Sequence, residues 1–181
     1  MDRNMTEDSG MQQHDRDEAF MAAALGQAEK ALEAGEFPVG CVIAGHSGIV
    51  AAGGRSASSG PAANEIDHAE ITALKRLYES RYSGFWQDLT MYVTMEPCLM
   101  CYGAAMIAGI GRIVYAYEDV MGGGTACGLE ELTPLYKNAE IRIVPHVLRE
   151  QSLGLFRRFF SDPQNTYLQG TLLAEYTLCQ K

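Results

Sequence analysis

Two short motifs in the middle of the chain constrain its fold more than any other feature. They read His-Ala-Glu at residues 68–70 and Pro-Cys-Leu-Met-Cys at residues 97–101. One imidazole and two thiols form a ligand set that suits zinc, and three protein ligands leave a fourth coordination position open for water. The fold must therefore bring the two motifs together. We predict that His68, Cys98 and Cys101 bind one Zn²⁺ ion per subunit.

The local geometry of the motifs supports this prediction. Side chains in the first turn of a helix tilt toward its N-terminus, so His68 at a helix start and Glu70 in the first turn can face the same point. Cys98 and Cys101 are three residues apart and share one face of a second helix, for which Pro97 is a favourable start. Glu70 is not needed to complete the ligand set, and we therefore predict a catalytic role for its carboxylate.

The hydrophobic pattern predicts strands that alternate with helices through most of the chain. Strands are expected at 39–44, 49–53, 89–94, 112–117 and 141–144. Helices are expected at 15–34, 69–80, 97–108, 132–137, 150–160 and 166–179. This order predicts an α/β fold, a three-layer α/β/α sandwich whose five-stranded mixed sheet has helices on both faces.

The composition predicts one globular domain, because 47% of the 181 residues are hydrophobic. Residues 1–14 are polar, and we expect a disordered tail. Residues 15–162 are predicted to form the catalytic domain, and residues 163–181 a C-terminal helical extension. The glycine-rich residues 118–130 are expected to form a mobile loop.

The cellular compartment is predicted from several features of the sequence. No run of 18 apolar residues indicates a membrane span, and the polar N-terminus lacks the pattern of a secretory signal. Five cysteines are an odd count, and two of them form a Cys-x-x-Cys motif, which favours metal-bound thiolates over disulfides. We therefore expect a cytoplasmic protein with no membrane contact.

The charge distribution bears on possible nucleic-acid partners. The net charge is −9, which disfavours non-specific binding to RNA. Residues 1–36 carry nine acidic and three basic residues, a net charge of −6, and the rest of the chain carries only −3. A tRNA partner is therefore disfavoured but not excluded.

The motifs resemble those of the cytidine-deaminase-like superfamily, whose zinc signature is His-x-Glu followed by Pro-Cys-x-x-Cys. The resemblance is strongest to the branch of bacterial tRNA adenosine deaminases, guanine deaminases and fungal-type cytosine deaminases. It covers about residues 15–160 and is carried by the stretches at 37–40, 68–71, 92–101, 103–104 and 111–115. It implies a homodimer and hydrolytic deamination, with zinc-bound hydroxide as the nucleophile and Glu70 as the proton shuttle.

The resemblance also implies substrate contacts. Backbone donors and acceptors are expected near Ala69 and Glu96. Members of the branch usually have a base-binding asparagine just after the second hairpin strand, and residues 54–57 contain none. Ser56 or Asn64 is expected to take its place.

Two acidic residues follow the fourth predicted strand. Ligands of α/β sheets bind beyond the carboxyl ends of strands, so Glu118 and Asp119 are candidates to bind the ring N–H groups of a purine. The alternative is that both are ordinary surface acids.

Three functions remain open at this point. The first is deamination of a free nucleobase, nucleoside or related amino-heterocycle. The second is a tRNA-specific adenosine deaminase that converts wobble adenosine to inosine. The third is a non-enzymatic module stabilised by zinc, which the surplus Glu70 carboxylate argues against.

Overall fold

The computed structural model describes residues 3–58 and 63–180, with side chains described from Met11 onward. The strands are β1 (Gly40–Gly45), β2 (Gly48–Gly54), β3 (Thr90–Met95), β4 (Arg112–Tyr117) and β5 (Arg142–Val144). The helices are α1 (Arg3–Glu33), α2 (Ala69–Glu79), α3 (Leu99–Ala108), α4 (Pro134–Lys137), α5 (Arg149–Ser161) and α6 (Leu172–Cys179). A short 3₁₀ helix at Trp86–Asp88, which the sequence pattern did not predict, precedes β3.

The five strands form one mixed sheet in the order β2-β1-β3-β4-β5. Strand β1 is antiparallel to both β2 and β3, whereas β3, β4 and β5 are parallel. The carboxyl ends of β3 and β4 therefore meet at one edge of the sheet, which is where α/β folds bind ligands. The end of β2 and the start of β1 lie at the same edge, so four chain segments converge there.

Helices cover both faces of this sheet, which confirms the predicted fold class. Helix α1 packs on the face that carries Val42, Tyr92 and Val114. Helix α5 lies on the same side, where the Ser152 hydroxyl donates a hydrogen bond of 2.6 Å to the Thr94 carbonyl. Helix α2 packs on the opposite face, and helix α3 packs beside it.

Two glycines allow helices to approach the sheet closely. A Cβ at Gly40 would lie 2.1 Å from the Ala24 carbonyl oxygen of α1. A Cβ at Gly53 would lie 2.4 Å from the Ala69 carbonyl oxygen of α2. Neither distance is possible for a real side chain, so α1 and α2 can occupy their places only because these strand positions carry no Cβ.

The N-terminal helix begins earlier than the sequence pattern indicated. Helix α1 starts at Arg3 rather than Asp15, so it is longer than the helix predicted at 15–34. Residues 1 and 2 lie outside the described residues. Methionine, glutamine and glutamate are good helix formers, and each residue added to an existing helix gains a hydrogen bond. The packed part of α1 can therefore extend through a polar segment that lacks apolar periodicity.

The buried face of α2 differs from the expected one. The spacing of apolar residues predicts that Ile71, Leu74 and Tyr78 face the core. Tyr78, however, is 78% exposed, and Leu77 is fully buried. Ala69 and Ala73 are also fully buried, because the close contact with Gly53 selects the helix face with the smallest side chains. The contact with the strand thus overrides the hydrophobic pattern.

The C-terminal residues join the main core. Leu173 and Ala174 of α6 are buried in the same cluster as Phe37 and the phenylalanines of α5. Glu118, just after β4, accepts hydrogen bonds from Arg149 at the start of α5 and from the Tyr176 hydroxyl of α6, the latter at 2.7 Å.

Among the described helices, none combines the length and the hydropathy that a membrane-spanning helix needs.

We predict that Gly53→Ala lowers the free energy of unfolding by about 1–3 kcal/mol, because the new methyl group must push α2 away from β2. Gly26→Ala is the matched control. A Cβ at Gly26 would have no neighbour within 4 Å, so alanine in this helix should be neutral or stabilising by up to about 1 kcal/mol. Urea unfolding of both variants measures the difference. If the Gly53→Ala and Gly26→Ala variants were equally stable, the contact between Gly53 and α2 would not be tight.

We predict a pH-dependent effect for Glu118→Gln. Burial alone would raise the pKa of Glu118, but hydrogen bonds from Arg149 and Tyr176 outweigh burial and lower the pKa to about 2. The Glu118 carboxylate therefore stabilises the fold fully above pH 4.5, its ordinary pKa, and this contribution is lost as the pH falls toward 2. The melting temperatures of the native protein and the variant should differ most near pH 7 and converge as the pH falls toward 2. A constant difference would contradict this assignment.

Candidate metal centre and substrate cavity

His68 is fixed at the N-terminus of α2. It is the N-cap residue, and its carbonyl oxygen accepts the first helical hydrogen bond, from the Thr72 N–H at 2.9 Å. Its side chain makes no capping hydrogen bond, so the imidazole is free to face away from the helix end. This confirms the expected place of His68 at a helix start.

The two cysteines are fixed in the same way on α3. Cys98 is the N-cap residue of this helix, and its carbonyl oxygen accepts a hydrogen bond from the Tyr102 N–H at 2.9 Å. Cys101, three residues later, is completely buried. Both ligand-bearing segments therefore begin helices, and the N-termini of α2 and α3 face the same point.

The three predicted ligands meet in space. The Nδ1 atom of His68 lies 3.6 Å from the Cys98 sulfur and 3.4 Å from the Cys101 sulfur. All three ligand atoms lie within 4.8 Å of one another, and no other such group occurs among the described residues. Tetrahedral zinc with ordinary Zn–N and Zn–S bonds separates nitrogen from sulfur by roughly 3.5 Å. The observed spacing therefore fits zinc.

The electrostatics of this cluster favour a thiolate. A hydrogen bond from the Cys101 thiol lowers the pKa of Cys98 to about 4, with further help from His68 and against the effect of burial. The hydrogen bond with Cys98 in turn raises the pKa of His68. A deprotonated sulfur is the form that binds a metal ion.

Glu70 lies beside the cluster without belonging to it. The residue is only 3% exposed, and its Oε2 atom is buried with no hydrogen-bond partner among the described residues. Burial raises the pKa of this carboxyl group. Burying an unpaired carboxylate oxygen costs free energy on folding. Such a cost is typical of a group that serves the chemistry of a site rather than stability.

The cluster opens into a cavity of about 180 Å³. Fifteen residues line it: Phe37, Val39, Arg55, Glu65, His68, Ala69, Glu70, Met95, Glu96, Cys98, Asp119, Met121, Tyr167, Leu168 and Leu173. Apolar side chains supply much of the wall, which suits a flat aromatic ring. The last three residues come from the C-terminal segment, which therefore covers the cavity of its own chain.

The glycine-rich loop after β4 is held against the metal-binding segment. The Glu96 carboxylate accepts hydrogen bonds from the backbone N–H and the hydroxyl of Thr125, and the Gly124 N–H donates to the Pro97 carbonyl at 2.8 Å. A Cβ at Gly124 would lie 2.6 Å from the Leu99 nitrogen. The loop that we expected to be mobile is thus tied to the start of α3, and glycine permits that contact.

The predicted substrate contacts divide into two groups. Ala69, Glu96 and Asp119 line the cavity. Burial raises the pKa of Asp119, although its carboxylate accepts hydrogen bonds from the N–H groups of Met121 and Gly122.

Ser56, Asn64 and Glu118 do not line the cavity. Ser56 is exposed, and Asn64 is held within its own loop by a hydrogen bond of 2.7 Å to Asp67. Glu118 faces Arg149 instead. The structure therefore offers no support for substrate binding by these three residues.

Three polar cavity residues, Arg55, Glu65 and Tyr167, were not predicted from the sequence. Arg55 directly precedes Ser56, which was a predicted substrate contact, but a charged side chain directly after a strand gave no sign that it would be buried. Glu65 and Tyr167 are 102 positions apart, yet the Tyr167 hydroxyl donates to the Glu65 carboxylate at 2.9 Å. Only the tertiary structure brings such distant positions together.

Comparison with known proteins agrees with the geometry. Residues 14–117 match the family model of the cytidine and deoxycytidylate deaminase zinc-binding region. A tRNA-specific adenosine deaminase of Streptococcus pyogenes serotype M18 is 33% identical over 144 residues, which cover 78% of this chain and 87% of the relative.

Solved structures extend the comparison. A structure from a study of A-to-I editing by tRNA:A34 deaminases at the wobble position is 26% identical, with a TM-score of 0.64 and coverage of 76% of this chain and 98% of the other. A guanine deaminase from Nitrosomonas europaea, 19% identical with a TM-score of 0.63, covers 78% of this chain and 83% of the other and shows the shared fold alone. The chain therefore belongs to the cytidine and deoxycytidylate deaminase family, and it is a zinc-dependent hydrolytic deaminase.

Proposed function

We propose that this protein is a tRNA-specific adenosine deaminase that converts a wobble adenosine to inosine. The observation that carries the proposal is the similarity to tRNA-specific adenosine deaminases, which spans both zinc motifs and most of the chain. This was the second of our two enzymatic hypotheses from the sequence. The comparisons favour it over the first hypothesis, which was deamination of a free nucleobase, nucleoside or related amino-heterocycle.

The residues around the metal site have distinct proposed roles. His68, Cys98 and Cys101 hold the zinc ion. When bound, zinc lowers the pKa of a water molecule toward neutrality and so supplies a nucleophile. Glu70 would take a proton from that water and deliver it to the amino group, so that the carbon–nitrogen bond breaks and ammonia leaves. The water oxygen would remain on the ring carbon as a carbonyl, and the second proton would end on the adjacent ring nitrogen. The buried position of Glu70 supports this role, because burial raises the pKa of Glu70 and so makes its carboxylate a better proton acceptor.

The cavity walls would position the base. Phe37 and Leu173 are apolar and can hold the faces of a planar ring. The backbone of Ala69 and Glu96 lies at the metal end of the cavity, where we propose that it hydrogen-bonds the base edge. Apolar walls with a few polar groups are the usual composition of a small-molecule or base pocket.

A free amino-heterocycle is the second candidate substrate. Two observations favour it. Tyr167, Leu168 and Leu173 of the C-terminal segment line the cavity and reduce the room for a polynucleotide. The net charge of −9 also opposes approach of an RNA backbone.

The homodimer implied by the sequence remains a proposal. Leu99 and Ile107, eight residues apart on α3, are 59% and 65% exposed. Gly103 lies midway between them, and a Cβ there would contact nothing within 4 Å. An apolar stripe next to the metal ligands supports pairing of two subunits through this helix.

The substrate proposal is tested with zinc-loaded protein and a panel of compounds. We expect ammonia and inosine from an anticodon stem-loop with adenosine at the wobble position, and none from the same stem-loop with guanosine. The panel also contains free adenine, guanine and cytosine and their nucleosides. Turnover of free compounds alone would overturn the tRNA proposal and support the second candidate. Mass spectrometry identifies the product in each case.

The roles of the metal-site residues are tested by substitution. We expect Glu70→Gln to keep about one zinc per subunit and to lose deamination by at least about 100-fold, because only the proton carrier is removed. Cys101→Ser should lose zinc as well as activity. Cys127→Ser is the matched control, since that thiol is exposed and free. Metal content is measured by elemental mass spectrometry. Full activity of Glu70→Gln would show that another group moves the proton.

A further inference from the structure

Arg55 is a buried cation in the wall of the substrate cavity. The residue follows β2 directly and is only 4% exposed. Its backbone N–H donates to the Val39 carbonyl at 2.8 Å, which holds the residue beside β1 at the edge of the sheet where the metal site lies. Arg55 lines the same cavity as His68 and Glu70.

The guanidinium group is only partly satisfied. Its Nη2 atom donates to the Glu65 carboxylate at 2.9 Å, but the buried Nη1 atom has no hydrogen-bond partner among the described residues. A buried charged donor without a partner costs considerable free energy. Such a cost is tolerated where a ligand completes the hydrogen bonds.

Two neighbours fix the orientation of this group. The Glu65 carboxylate binds Arg55 and also accepts a hydrogen bond from the Tyr167 hydroxyl at 2.9 Å. The side chain of Glu65 is 60% exposed, whereas that of Arg55 is 2% exposed. The acid therefore lies at the rim of the cavity, and the guanidinium lies inside.

We propose that Arg55 Nη1 donates a hydrogen bond to an acceptor atom of the substrate ring and so helps to determine which base is deaminated. The acceptor is a ring nitrogen or a carbonyl oxygen of an amino-heterocycle. Glu65 and Tyr167 are positioning residues that hold the guanidinium. The inference rests on the proposed deamination and applies whether the ring belongs to tRNA or to a free base.

The first test measures binding, with zinc-loaded Glu70→Gln protein so that the substrate stays intact. Arg55→Met should weaken binding of the adenosine stem-loop by about tenfold or more, the usual effect of losing a hydrogen bond to a charged group. Binding of the same stem-loop with an abasic wobble position should change less than about twofold. The proposal would be overturned if Arg55→Met weakened binding of both stem-loops equally, or if it weakened binding of neither. Arg142→Gln, an exposed arginine on β5, is the matched control and should change neither.

The second test removes the acceptor from the ligand instead of the donor. Stem-loops with 1-deaza-, 3-deaza- or 7-deazaadenosine at the wobble position each lack one ring nitrogen. One of them should bind the Glu70→Gln protein about tenfold more weakly than adenosine does, and it should show no such loss when Arg55→Met is also present. If every analogue lost the same affinity with Arg55 present as with Arg55→Met, Arg55 would contact no ring acceptor.

The proposal of a tRNA substrate and the proposal for Arg55 can fail separately. If only a free base is deaminated in the substrate panel, the tRNA proposal fails, and the Arg55 measurement is made with that base. KM should then rise about tenfold or more in Arg55→Met with a smaller change in kcat, because the hydrogen bond forms on binding. Arg55→Lys keeps the charge and should recover part of the affinity. A fall in melting temperature with unchanged KM would mean that Arg55 only stabilises the fold.

Discussion

The close contact between α2 and β2 is the constraint on which the site depends. A side chain at Gly53 would collide with the carbonyl oxygen of Ala69, so only glycine lets the helix begin so near the strand. Ala69 lies between His68 and Glu70, and its position therefore fixes both functional side chains. Gly40 performs the same task for α1 on the opposite face. The sheet is thus held between two helices at distances that larger residues would not allow.

The chemistry follows from where the helices begin. His68 and Cys98 are both N-cap residues without a capping hydrogen bond, which leaves their side chains available for a metal ion. The partial positive charge of a helix N-terminus favours thiolate sulfur, and the chain brings two such ends together. Glu70 reaches the same region from the first turn of α2 but stays outside the ligand set. The N-termini of α2 and α3 thereby supply the candidate metal ligands and a separate carboxylate.

The reaction and its substrate are determined by different parts of the chain. The two motifs define hydrolytic deamination, whereas the cavity beyond them is built from residues far apart in sequence. Glu96 ties the glycine-rich loop to α3, and the C-terminal segment contributes Tyr167 and Leu173. Arg55 adds a buried positive charge to a cavity that is also lined by four acidic residues, Glu65, Glu70, Glu96 and Asp119. The cavity next to the zinc motifs is therefore completed by the packing of the C-terminal segment against the rest of the chain.

The sequence alone identified three candidate zinc ligands, the surplus Glu70 carboxylate and the alternation of strands and helices, because these depend on local spacing and periodicity. It predicted strand β4 to the residue, and it missed the start of α1 at Arg3, because helix extension through polar residues leaves no apolar pattern. It also placed Tyr78 on the buried side of α2, where contact with Gly53 buries small residues and leaves Tyr78 exposed. Only the tertiary structure decided that Arg55, rather than Ser56 or Asn64, lines the cavity. The physical reason is that burial of a charged side chain depends on partners such as Glu65 and Tyr167, which no local pattern connects.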